Sequence, residues 1–259
     1  MLKIKHGTSR PEKLIDISGL EELRYIREDD GLVRIGACTT LCTIESDKLL
    51  KEVAPLISSS AMKIASTEIR NVGTIGGNLC CAQANCGICF LPGCKKMTGD
   101  RSIAPCRNAK WSDLLLPLAA YDAEAIMESC GGQRIVKVEH FIKDSGAIDI
   151  KHGELLREIR FNRPSVCGCG FAELREPSSM GFPYLSVTAL SHDEKFDITV
   201  GGSTTKIFKF INISKTDIAD IAKTLTFCDS LQFSKEYRND IAASIIMEAI
   251  DTSIGGNHK

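Results

Sequence analysis

Apolar positions in the first forty residues come in short runs separated by Gly, Ser or Asp. Leu14-Ile15-Asp16-Ile17, Leu23-Arg24-Tyr25-Ile26 and Leu32 to Ala37 are each apolar or alternating, which predicts strands of a mixed sheet. The period then changes. Leu41 to Leu50, entered through Thr39-Thr40, and Ala54 to Ile64 carry apolar residues at three-to-four spacing and predict two helices. Trp111 to Ala125 predicts a third, since Leu114, Leu115, Leu118 and Ala119 group on one side and Pro117 stays close to the first turn. Gly131-Gly132 before Arg134 to Val138 is a hairpin signal. Glu154 to Phe161 alternates as a strand until Asn162-Arg163-Pro164-Ser165, where the proline cannot continue a central ladder, and a domain boundary is expected there. Beyond it, Gly170 to Leu174, Tyr184 to Leu190, Lys195 to Val200 and Ile207 to Ile211 predict four strands. Ser214 to Thr226 and Ser234 to Ile250 predict two helices. The pattern predicts an α/β lobe over residues 1–163 and a smaller α+β lobe over 166–259.

Composition narrows the class. With 259 residues, 43% of them hydrophobic, the chain has enough material for two cores. The net charge is −1 and Lys and Arg are spread along the length, so no basic stripe suits a nucleic acid. The first residues lack the apolar core of a signal peptide, and no run long enough to span a membrane occurs, so a soluble cytoplasmic protein is expected. In that setting twelve cysteines do not form a disulfide framework, and metal or redox chemistry becomes the leading explanation. Six of them, Cys80, Cys81, Cys86, Cys89, Cys94 and Cys106, crowd into one stretch. Cys38, Cys42, Cys130, Cys167, Cys169 and Cys228 are scattered, as small core residues would be.

Two features carry chemistry. Thr74-Ile75-Gly76-Gly77-Asn78 follows Ile69-Arg70-Asn71-Val72-Gly73. Adjacent glycines let backbone N–H groups approach a phosphate with no Cβ in the way, and Thr74 and Asn78 add side-chain donors. The same dipeptide also suits a plain tight turn, and its spacing matches neither the Rossmann nor the P-loop fingerprint. In the cysteine stretch, Cys86-x2-Cys89-x4-Cys94-x11-Cys106 offers four thiolates at short separations, with Cys80 or Cys81 as substitutes. Iron–sulfur and tetrahedral zinc are both compatible with that spacing. His6, His140, His152, His192 and His258 stand away from the cysteines and read as surface residues, and no catalytic triad or carboxylate pair is visible.

The stretch Ile69 to Asn78 resembles the second FAD-binding signature of the flavoprotein subunits of the xanthine dehydrogenase and carbon monoxide dehydrogenase family. Leu14 to Ser18 with Leu23 to Ile26, Ile35 to Thr40, Glu154 to Ile159 and Ser234 to Arg238 are similar in order and position, so nearly the whole chain is covered. The resemblance implies an FAD-binding domain of the vanillyl-alcohol-oxidase type, followed by a smaller flavoprotein C-terminal domain. It implies that Thr74, Ile75, Gly76, Gly77 and Asn78 contact the FAD diphosphate and ribityl chain. Asp113 would bind sugar or ribityl hydroxyls, Leu156 would pack against the adenine or flavin end, and Arg175 would lie in the loop approaching the isoalloxazine. The Lys and Asp that the family often carries near Glu173 and Gly181 are absent, so no catalytic residue is assigned. The family's first glycine-rich phosphate loop would fall before Met1, and the chain is expected to start late relative to the family. A loop supplied by another polypeptide, or weakened FAD binding, are the other readings.

The passage from Asn78 to Asp113 is longer than in family members without a cluster, and this insertion at about 79–110 holds all six crowded cysteines. In position and cysteine content it is similar to the insertion in the flavin subunits of 4-hydroxybenzoyl-CoA reductases, which carries a [4Fe-4S] cluster. The resemblance thus implies a [4Fe-4S] cluster on Cys86, Cys89, Cys94 and Cys106. The expected function is an electron-transfer subunit of a molybdenum hydroxylase. It would partner a molybdopterin-binding large subunit and a [2Fe-2S] small subunit and exchange electrons with NAD or ferredoxin. A scaffold with structural zinc and an incomplete FAD site, and a stand-alone flavin oxidoreductase, are the competing expectations.

Overall fold

Asp30 and Gly31 both adopt positive φ, 51° and 76°, and close a two-residue turn between β1 (Ile26–Asp29) and β2 (Leu32–Gly36). Such a turn matches the right-handed twist of the strands it joins. In this computed structural model, which describes residues 4, 7, 10–80, 112–143, 148–175, 183–202, 204, 206–227 and 233–255, β2 continues the sheet onto β5 (Leu155–Asn162). Beyond β5 lie β3 (Glu124–Ser129) and β4 (Gly132–Lys137), giving the order β1-β2-β5-β3-β4. Each of these pairings is antiparallel, so the mixed sheet expected from the pattern is replaced by an antiparallel one. Leu14 to Ile17 joins no strand, and Leu14 and Ile15 are 65% and 85% exposed. Of Leu23 to Ile26, only Ile26 enters β1, because Glu21–Leu23 close a 3-10 turn.

The helix expected over Leu41 to Leu50 is two helices, α1 (Leu41–Ser46) and α2 (Lys48–Val53). Asp47 divides them: its backbone is extended, and its carboxylate accepts the Leu50 amide at 2.9 Å as the N-cap of α2. Pro55 opens α3 (Pro55–Met62) at a position where a missing N–H costs nothing. Two short helices were not expected: α4 (Thr67–Val72) and α5 (Ile75–Cys80). The helix expected from Trp111 shrinks to α6 (Leu115–Ala120). Asp122 turns at φ 54°, and Glu124 onward is drawn into β3, where Ala125 and Met127 bury completely against the core.

The second sheet follows chain order: β6 (Gly168–Leu174), β7 (Leu185–His192), β8 (Lys195–Gly202) and β9 (Phe208–Ile213), all antiparallel. One face is covered by α7 (Ile218–Thr224) and α8 (Lys235–Gly255), whose Ile246 and Ile250 bury with Val187 and Ile198. A separate core gathers Ile35, Ile44, Leu118, Phe141 and Phe161 from the first part of the chain. The two meet where α6 lies on β7 and β8: Leu190 of β7 joins the first core, and Leu116 sits against Gly201. Among the described residues no helix is long and apolar enough to cross a membrane.

Close approach sets the seat of α8. A Cβ on Gly170 would overlap the Ala249 carbonyl oxygen, and one on Gly168 the Ser253 carbonyl oxygen. Backbone atoms have no rotamer with which to yield, so Gly170→Ala is expected to lower the unfolding free energy by about 3 kcal/mol. Urea unfolding measures it, and an unchanged midpoint would show that the helix can shift without cost.

Candidate functional site

The glycine segment packs as the floor of a groove rather than standing out as a loop. Leu41 N–H donates to Gly73 O at 2.8 Å, Ile75 N–H to Thr39 O at 3.0 Å and Gly76 N–H to Ala37 O at 2.9 Å, so α5 is laced onto the end of β2. Gly76 is required by this contact: a Cβ there would lie 2.8 Å from Ala37 O and 2.9 Å from Ala37 Cβ. Gly77 differs. It is exposed, and a Cβ there would meet a single described neighbour within 4 Å, the Thr74 hydroxyl oxygen at 3.0 Å. Its N–H donates to that oxygen at 3.1 Å, which leaves the Thr74 hydroxyl proton turned to other acceptors. Ile75 is fully buried and contributes its side chain to the core.

The groove has a volume of ≈ 870 Å³, toward the upper end of the range of about 300–1,000 Å³ for cofactor sites. Thr74, Gly76 and Gly77 line it together with Leu156, as the glycine motif and strand pattern predict. Leu156 is only 4% exposed, whereas its neighbour Leu155 is 36% exposed, so Leu155 offers the larger apolar surface. Residues that sequence reasoning left unassigned complete the lining: Ile15, Asp16, Ile17, Arg24, Ile150 and Glu154. Leu14 to Ser18, Leu23 to Ile26 and Glu154 to Ile159 carry the resemblance in sequence, but no binding role for these lining residues is read from them.

Asp113 and Arg175 lie elsewhere, in a small cavity of ≈ 30 Å³ where α6 meets the second sheet. Arg175 Nη2 is 3.7 Å from Asp113 Oδ1, and its Nε donates to Glu173 Oε1 at 3.0 Å. Burial pushes the Asp113 carboxyl up; Arg175 opposes that and Glu173 adds to it. Lys63 lies over the Phe171 ring at 4.5 Å in the same cavity, and the buried Ser60 hydroxyl has no hydrogen-bond partner among the described residues. The cavity has room for a water molecule or two to satisfy it.

Asn78 links the two places. Its Oδ1 accepts from the Ser112 hydroxyl and, at 3.4 Å, from the Leu114 amide, so the residue beside Asp113 is tied to α5. Cys86, Cys89, Cys94 and Cys106 lie outside the described residues. Among the described residues no group of three or more metal-ligating side chains converges.

Glu154 is the most strongly held charge at the groove. Arg134 Nε donates to its Oε1 at 2.9 Å and Nη2 to its Oε2 at 2.6 Å, while Lys151 N–H donates to Oε2 at 2.8 Å. These bonds hold its carboxyl well below the usual glutamate range, at about 2. A depressed folded-state pKa stabilises above the unfolded value, and that contribution is lost as pH falls from 4.5 toward about 2. Stability is therefore expected to drop across this window in the native chain, and Arg134→Met should flatten the drop while lowering stability at neutral pH. Denaturant titrations at several pH values measure the slope; an unchanged slope would contradict the assignment.

The chain matches the family model described as "FAD binding domain in molybdopterin dehydrogenase" over residues 1–164. It is 28% identical over 162 residues to the xanthine dehydrogenase FAD-binding subunit of Escherichia coli O157:H7, a match covering 62% of this chain and 47% of that protein. The chain thus spans about half the length of that relative. It is 26% identical to the glyceraldehyde dehydrogenase medium chain of Sulfolobus acidocaldarius, across 96% of this chain and 85% of that one. Among solved structures, quinoline 2-oxidoreductase from Pseudomonas putida 86 superposes with a TM-score of 0.77 at 19% identity, covering 100% of this chain and 87% of that one. Carbon monoxide dehydrogenase from Hydrogenophaga pseudoflava superposes at 0.75 with 21% identity, covering 98% and 86%. These two likenesses establish a shared fold of helices and sheets.

Proposed function

The chain belongs to the family of FAD binding domains in molybdopterin dehydrogenases, and from that premise we propose that it is the FAD-binding, electron-transfer subunit of a molybdenum hydroxylase. The observation that carries the reading is the groove lined by Thr74, Gly76 and Gly77, large enough for a dinucleotide, with Gly77 exposed and bare of a side chain. Bound there, FAD supplies one- and two-electron exchange. The protein's own residues bind and orient. Thr74 offers a hydroxyl donor, Arg24 a cation in the lining, and Gly77 the room for a diphosphate. Asn78 ties the groove to the neighbouring cavity that holds Asp113, and a cofactor extending past Asn78 out of the groove would meet that carboxylate as an acceptor for sugar or ribityl hydroxyls. Arg175, beside Asp113, would face the flavin end.

Substrate chemistry would then fall to a separate molybdopterin-binding chain, and a [2Fe-2S] subunit would exchange electrons with this one. NAD or ferredoxin would be the external carrier. We further assign a [4Fe-4S] cluster to Cys86, Cys89, Cys94 and Cys106, supported by four thiolates within one short stretch of sequence. Such a cluster needs reduced thiols, and a cytoplasmic location would supply them.

Two measurements test this. The chain refolded with FAD should hold one flavin, and Gly77→Asp, which sets a carboxylate on the groove floor, should weaken binding by about tenfold or more, a like-charge cost of at least about 1.4 kcal/mol. Unchanged affinity in that variant would move the diphosphate off the glycine segment. Anaerobically purified protein should contain iron and labile sulfide matching one cubane cluster. Serine at any of Cys86, Cys89, Cys94 or Cys106 should lower the iron content, while Cys42→Ser should not. Stoichiometric zinc in place of iron would overturn the cluster assignment.

A further inference from the structure

Helix α4 (Thr67–Val72) has no apolar anchor. None of its residues is buried, Ile69 and Val72 are 52% and 75% exposed, and Ser66 makes no side-chain capping bond at its start. A helix of six residues is well short of the length, about 12 residues, at which isolated helices begin to hold in water. Polar contacts have to hold it instead, and they converge on Arg70, whose side chain is 12% exposed. Its Nε donates to Glu45 Oε2 of α1 at 2.5 Å, its Nη1 to the Ile64 and Ala65 carbonyls beyond α3 at 3.2 Å each, and its Nη2 to Thr67 Oγ1 at 3.2 Å. Ala65 turns at φ 45°, a left-handed conformation that is unfavourable for a residue with a Cβ. Such a turn persists where its surroundings fix it, and Arg70 grips both carbonyls of that turn.

The residues that follow Arg70 line the groove: Asn71, Val72 and Thr74. Arg70 does not line it. Helix α4 is tied to α1 twice, through the side chains of Glu45 and Arg70 and through the backbone, where Leu41 N–H donates to Gly73 O at 2.8 Å. Loss of the first tie leaves α4 to pivot on Gly73, and Asn71 and Thr74 move with it. The planar fork is what joins three elements at once; a lysine ammonium keeps the charge beside Glu45 but has no such geometry. We propose that Arg70 is a positioning residue for the dinucleotide: it holds α4 on α1 so that Asn71 and Thr74 keep their places in the groove, and it acts on the ligand only through them. The inference rests on the reading of this groove as the FAD site.

The test is a double-mutant cycle on FAD affinity, followed by flavin fluorescence on the flavin-free full chain: native, Arg70→Lys, Thr74→Ala and the two together. Arg70→Lys is expected to keep a native far-ultraviolet circular dichroism spectrum and to bind FAD about fivefold or more weakly, within the coupling range of residues that act through one element. The two substitutions together should weaken binding by clearly less than the product of their separate factors, because a displaced Thr74 has little binding left to lose. A role in stability alone lowers the unfolding midpoint and leaves the affinity of the folded chain unchanged. Native affinity in Arg70→Lys, or factors that simply multiply, overturns the proposal while leaving the FAD reading intact. A native chain that binds no FAD overturns that reading and the proposal with it. If Arg70→Lys fails to fold, Glu45→Ala removes the tie to α1 from the other side and carries the same cycle with the same outcomes.

Discussion

A buried carboxylate fixes the register on which the groove depends. Glu158 sits on the central strand β5 and accepts from Arg34 of β2 at 2.7 Å and from the Tyr25 hydroxyl at 2.6 Å. The Tyr25 hydroxyl is pushed up to about 12 by its burial and by this bond, so it remains a donor throughout the physiological range. Removing one partner from such a buried charge typically costs about 3–5 kcal/mol, and a slip of one residue would turn every side chain of β5 to the opposite face. The ladder then continues past β2, with Ala37 N–H on Arg157 O at 2.9 Å, and sets Glu154 to Leu156 beside Ala37 and Cys38. Helix α5 reaches the same place because Gly76 fits against Ala37.

Much of this arrangement was legible in the residue pattern where one period ran unbroken. β2 and β5 alternate or run apolar between turn residues, and the C-terminal strands and helices carry clean periods of their own, so these elements appear where expected. The failures have local causes. Asp47 caps a second helix inside what reads as one. Helix α5 contains two adjacent glycines, each of which disfavours a helix by about 1 kcal/mol, and it forms because Thr39 and Ala37 accept its first amides. That bond set is tertiary and leaves no trace in a single segment. The run that was to be a helix from Trp111 divides because burial of Ala125 and Met127 against β5 outweighs their helical spacing.

The site divides along the same line. Thr74, Gly76 and Gly77 stand out through the signature that Ile69 to Asn78 resembles, since paired glycines alone suit a plain tight turn. Glu154 and Lys63 do not, since a lone charged residue on a strand or at a helix end reads as solvated surface. Only the folded chain shows Glu154 gripped by Arg134 and Lys63 seated on Phe171. The assigned residues therefore form two neighbouring places, groove and inter-lobe cavity, joined through Asn78 and Ser112.

That joint has a topological consequence. Residues 81–111 leave from the end of α5 at Cys80 and return at Ser112, and the Asn78 side chain fastens the return point to the departure helix. A segment whose ends are pinned together is thermodynamically a closed loop, and lengthening such a loop costs little: each doubling adds only about 0.6 kcal/mol of closure entropy. The groove and the cavity on either side of the joint are insulated from how much chain is threaded between them. Nature can thus install, exchange or delete a whole module at this point while the surrounding architecture keeps its shape.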